Sequence, residues 1–95
     1  MKYPIAIEPG DKKHAYGVVV PDLPGCFSAG DTLDIAYENA KEAIAGWIEI
    51  ELEEGHDIPA PSKIEDISKQ EDFKGWVFGA VEIPEQESAQ GGKRL

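Results

Sequence analysis

Apolar residues recur at two different spacings along this chain, and the change from one to the other falls near residue 31. Tyr3, Ile5 and Ile7 alternate with Pro4, Ala6 and Glu8, the period of a strand with one face in a core. Pro4 has no amide proton for a ladder, so this strand is expected to start at a sheet edge. Residues 9–14 gather Gly10, Asp11 and two lysines into a hairpin-like turn. Residues 15–20 form a second strand, and its three consecutive valines predict burial on both faces. Pro21, Asp22, Pro24 and Gly25 break it, and residues 26–29 make a short third strand ended by Gly30. Three strands this close in sequence most simply form an antiparallel meander.

From residue 31 the spacing becomes helical. Asp31 or Thr32 supplies a side-chain oxygen for the unpaired amides of a first turn, and Asp34 suits the positive end of the helix dipole. At about 100° per residue, Leu33, Ala36, Tyr37, Ala40, Ala43, Ile44, Trp47 and Ile48 fall on one stripe, with Asp34, Glu38, Lys41, Glu42 and Glu49 opposite. The alanines allow close approach to a sheet. Glu51 returns to the centre of the apolar stripe, where a buried carboxylate is costly, so the last turn is expected to project past the sheet or to fray. Gly55 is a helix stop.

After the helix, residues 56–62 contain Pro59 and Pro61 and predict an extended linker. Residues 63–74 are polar, with Ile64 and Ile67 as isolated anchors, and predict a loop or a short helical turn. Residues 75–83 are a final strand, with Trp76, Phe78 and Ala80 on one face and Val77, Gly79 and Val81 on the other; Pro84 ends it. Trp47, Trp76 and Phe78 are expected to share the core between helix and last strand. The polar stretch 85–95 is too poor in apolar residues to fold and is expected to be a disordered tail, leaving residues 1–84 as one domain. The fold class is therefore α+β: about four antiparallel strands (meander, helix, final strand), with one main helix on one face.

Charge adds a constraint on partners. Nineteen Asp and Glu against nine Lys and Arg give a formal net charge of −10 over 95 residues. Such a surface repels phosphate backbones, so direct nucleic-acid binding is not expected, and a basic partner is favoured. Solubility alone also explains an acidic surface. No apolar run is long enough to cross a bilayer, and the N-terminus lacks a secretory signal pattern. Cys26 is the only cysteine, which allows no internal disulfide and fits a cytoplasmic location.

The string VVVPDLPGCFSAGDTLDIAYENAKEAIAGWI, followed later by GHDIPAPS, closely resembles the HicB antitoxin family. The hallmark shared with that family is a strand running into Pro-Asp-Leu-Pro-Gly-Cys, then Ser-x-Gly-Asp-Thr and an Ala/Glu-rich helix. The resemblance covers residues 5 to about 83. It implies a partial RNase H-like fold and a non-enzymatic function: capping a small basic HicA-type ribonuclease toxin that cleaves mRNA. Most members continue into a DNA-binding segment, whereas only the polar stretch follows Ile83 here. Autoregulation by promoter binding is accordingly not expected of this chain.

Six residues are candidates for toxin contact. Asp22, Leu23 and Pro24 lie in a turn made rigid by its prolines and Gly25, and rigid loops favour recognition. The same residues also serve simply to shape the crossover, with Asp22 accepting local backbone bonds. Glu38, Glu42 and Glu49 make one helix flank negative; residues 33–54 hold seven acids and one lysine, so most of that charge is unpaired within the helix. A solvated face is the plain alternative. Asp22, Asp31 and Asp34 also invite a metal-dependent nuclease reading, because RNase H chemistry holds two metal ions with several carboxylates. The acid-free strand over 15–20 and the capping roles of Asp31 and Asp34 speak against it. No cofactor or metal is expected: His14 and His56 lack metal-ligand spacing, and Cys26 reads as a small core residue. A third reading is an orphan binding module that oligomerises; free strand edges make a homodimer or higher oligomer reasonable.

Overall fold

The computed structural model describes residues 1–84. Its strands are Lys2–Glu8 (β1), Tyr16–Val19 (β2), Phe27–Gly30 (β3) and Val77–Glu82 (β4), and its main helix is Leu33–Glu53 (α1). The sheet order is β3-β2-β1-β4, with every neighbouring pair antiparallel. The expected meander is present, and β4 closes onto the far side of β1. The stretch expected to be a disordered tail lies outside the described residues.

That closure overturns the edge position expected of the first strand. β1 lies in the sheet interior, and Pro4 sits opposite Ala80 of β4. Proline is tolerated there because of the pleat. Met1 and Ile83 exchange backbone bonds, so odd-numbered residues of β1 aim their polar groups at β4 and Pro4 aims its own toward β2. On that side the β1–β2 ladder ends at Ala6–Val19, and continuing its register would bring Pro21 opposite Pro4. Neither proline offers an N–H, so the ladder stops there.

α1 covers one face of the sheet. Thr32 is its cap, its hydroxyl accepting from the Ile35 amide at 3.1 Å. Ala36, Ala40, Ile44 and Ile48 are buried against Tyr3, Ile5, Ile7, Val18, Val20, Leu23, Val81 and Ile83. Leu33, counted on the same stripe, is 45% exposed. The last turn is ordered rather than frayed. Gly55 takes φ +78°, the His56 amide returns to the Glu51 carbonyl and the Gly55 amide to that of Leu52, which is a Schellman closure. Glu51 escapes the expected penalty because it is not buried: its side chain keeps 24% of its surface exposed, and its carboxylate meets His56 Nδ1 at 2.9 Å.

The opposite face carries a second, smaller core. A short helix, Ile64–Ser68 (α2), and a 3₁₀ turn over Glu71–Phe73 lie across it. Ile67 and Phe73 bury Ala6 there, with Val19, Trp76 and Phe78 packed around them. Ring centroids stand 5.1 Å apart for Phe73–Trp76 and 6.4 Å for Phe73–Phe78. Trp76 and Phe78 are thus correctly paired on one strand face, but they point away from α1 and do not share a core with Trp47. Of the two anchors expected in this segment, Ile67 is buried and Ile64 is 39% exposed.

Candidate partner-binding surface

The Pro21–Cys26 crossover consists of two successive turns. The Leu23 amide donates to the Val20 carbonyl at 3.0 Å, and the Cys26 amide donates to the Leu23 carbonyl at 3.0 Å. In the second turn Pro24 fixes the first central position, and Gly25, at φ +81°, supplies the positive φ that a type II turn demands. Leu23 is fully buried and plugs the main core. Any part it has in a contact runs through the shape of the turn, since its side chain does not reach the surface.

Two elements hold this turn from outside. Trp47 Nε1 donates to the Pro24 carbonyl at 2.9 Å, which ties it to α1. Asp22 accepts from the Ser62 amide at 2.7 Å and from the Ser62 hydroxyl at 2.6 Å, which ties it to the segment after the helix. That segment is itself pinned by Tyr3, whose hydroxyl donates to the Pro59 carbonyl at 2.6 Å. Asp22 thus bonds a distant backbone group, not the local ones its turn position suggested. Pro24 and Gly25 remain exposed beside Trp47.

Glu38, Glu42 and Glu49 are exposed on the side of α1 away from the sheet. With Glu53 they make no ion pair to any described residue. The turn residues and this helix flank are therefore separate parts of the surface, and Trp47 ties the turn to α1. The flank next to β3 holds what the apolar pattern did not single out. Ile35 and Ile50 are about half exposed there, although both are large and apolar. Asn39 lies between them and donates to the Ala29 carbonyl of β3 at 2.8 Å, occupying part of that free strand edge.

The carboxylates of the nuclease reading do not converge. Asp22 is engaged by Ser62, and the one group of His, Cys, Asp and Glu close enough to share an ion among the described residues is Glu51, Glu54 and His56. Cys26 is buried, and desolvation raises its thiol pKa above the ordinary value, opposite to what an activated nucleophile requires. No helix is long and apolar enough to cross a membrane among the described residues.

A four-stranded antiparallel open sheet with one long helix across it, and a clamped Pro-Asp-Leu-Pro-Gly-Cys turn at its end, define a small α+β domain. Residues 3–95 match the family model described as HicB-like antitoxin of bacterial toxin–antitoxin systems, and the chain belongs to that family. The N-terminal domain of the Burkholderia pseudomallei antitoxin HicB superposes with a TM-score of 0.78 at 36% identity, over 90% of this chain and all of that one. A chain of a HicA3–HicB3 toxin–antitoxin complex gives 0.75 at 34% identity, again over 90% of this chain. An uncharacterised 14.9 kDa protein of Haemophilus phage HP1 is 46% identical over 83 residues; these are 87% of this chain and only 61% of the phage protein.

Proposed function

We propose that this chain is the neutralising domain of a toxin–antitoxin pair and that it binds and occludes a small basic HicA-type ribonuclease without doing chemistry itself. The observation that carries this reading is the likeness, over 90% of the chain, to a chain of a HicA3–HicB3 toxin–antitoxin complex. Charge supports it independently. A chain of net charge −10 with unpaired glutamates along α1 complements a protein that must itself be basic to hold RNA. The rigid turn at Asp22, Leu23 and Pro24 forms one wall of the contact, and Glu38, Glu42 and Glu49 steer the encounter. Both proteins act in the cytoplasm, where mRNA is available to the toxin.

The test is to seek a small basic protein encoded beside this chain and to co-express the two. Copurification of the two, with loss of that protein's RNA cleavage on mixing, is expected; free cleavage in the presence of excess chain overturns the reading. The chain alone is expected to leave its promoter DNA unshifted in a low-salt gel assay. Retardation at submicromolar protein would show a nucleic-acid-binding role that the charge argues against.

A further inference from the structure

Gly46 lies well inside α1, where glycine is destabilising relative to alanine because it loses more backbone freedom on folding. Other glycines of this chain have internal reasons. A Cβ on Gly30 would collide with the backbone of Ile35 and Ala36 at the start of α1, and Gly25 and Gly55 need positive φ. Apart from the backbone of its own helix turn and its chain neighbours, a Cβ at Gly46 would meet none of the described residues within 4 Å. The described residues therefore leave room for an alanine there and supply no packing cause for glycine.

The surroundings of Gly46 supply one. At about 100° per residue, Ile50 stands on one side of Gly46 on the helix surface, and Glu42, Glu49 and Glu53 stand on the other. Ile50 is 54% exposed. Trp47, adjoining Ile50 one turn back, carries this apolar surface to the exposed Pro24 through its bond to the Pro24 carbonyl. The result is an apolar strip with a gap at Gly46 along its margin and an acidic border beyond that gap. Addition of a strand to the neighbouring β3 edge fits less well, because Asn39 already occupies the Ala29 carbonyl.

We propose that the Pro24–Trp47–Ile50 strip is the centre of the toxin contact, and that Gly46 is the point where a backbone or small side chain of that basic partner approaches α1. This rests on the antitoxin reading above and names the surface it uses. The acidic border selects the occupant: a cationic protein neutralises Glu42, Glu49 and Glu53, whereas a second copy of this chain would bring like charges together. Contacts of this kind hold the complex by slowing dissociation, while the border sets the approach.

The experiment measures binding of the 95-residue chain to the HicA-type protein identified by that copurification, carrying an inactivating substitution, by surface plasmon resonance. Gly46→Ala is expected to raise the melting temperature of the free chain and Gly46→Leu to leave it no lower. Gly46→Leu and Ile50→Ala are each expected to weaken binding at least tenfold, mainly through faster dissociation. Ala45→Leu, exposed on the outer side of the same helix, is the steric control and should bind as the parent does. If the parent chain does not bind, the antitoxin reading itself fails and this inference falls with it. If the parent binds and Gly46→Leu binds equally well while folded, the docking surface lies elsewhere. A change of oligomeric mass in Gly46→Leu with unchanged toxin affinity would assign the strip to contact between copies, and would equally overturn the proposal.

Discussion

The carboxylate of Asp22 holds Ser62 by two hydrogen bonds, to its amide at 2.7 Å and to its hydroxyl at 2.6 Å, across 40 residues of chain. The Pro-Asp-Leu-Pro-Gly-Cys turn and the segment after the helix are thereby one mechanical unit. Asp22→Ala should cost about 1–2 kcal/mol, since both bonds go to a charged acceptor but are partly solvated. Ser62→Ala keeps the amide bond and should cost about half as much. Urea unfolding reads both, as a lower midpoint at unchanged slope.

The same engagement bears on catalysis. With Asp22 committed to Ser62, and Asp31 and Asp34 placed at the start of α1, the purified chain should not cleave RNA in magnesium or manganese. Metal-dependent cleavage that disappears in Asp22→Asn would make this protein a nuclease. Cleavage that survives that substitution would point to a contaminant or to another site.

Glu38, Glu42 and Glu49 should act on the rate of encounter. Their replacement with glutamine is expected to slow association with the toxin several-fold at low salt and to leave dissociation almost unchanged, because screening removes charge effects beyond roughly 8 Å at physiological salt. Stability should hold, since all three are exposed. Trp47→Ala is the contrasting variant. Being only partly buried, Trp47 should cost about 2–3 kcal/mol, at or below the low end for tryptophan truncation. Equal association rates for the triple variant and the parent at low salt would make the flank a solvated face only.

Cys26 should resist thiol reagents in the folded chain and react at once in urea. Burial raises its pKa, so the unfolded chain loses the thiol proton first as pH rises. The group's contribution to stability is therefore complete below the unfolded pKa and fades as pH climbs through the folded one. Alkaline unfolding monitored in parent and Cys26→Ser reads this difference; identical profiles would show that the thiol is not held from solvent.

The sequence by itself determined the local elements, because their signals are local. Alternation at Tyr3, Ile5 and Ile7, the four-residue rhythm of Ala36, Ala40, Ile44 and Ile48, and the stop at Gly55 need only the geometry of a strand or helix turn. The family motif at residues 18–26 was legible for the same reason. What tertiary structure decided was every relationship between distant segments. β4 joins β1 and moves Pro4 into the sheet interior, a pairing that no local pattern around Pro4 encodes. Alternation assigned Trp76 and Phe78 to one strand face but not to a particular neighbour, and Phe73, which gathers them, lies in a polar stretch with no period. Leu23 reads as a surface turn residue until the fold closes over it. Gly46 and Ile50 acquire meaning only once the helix is seated, because exposure is a property of the packed molecule: the chain dictates which residues share a face, and only packing decides which face is left for a partner.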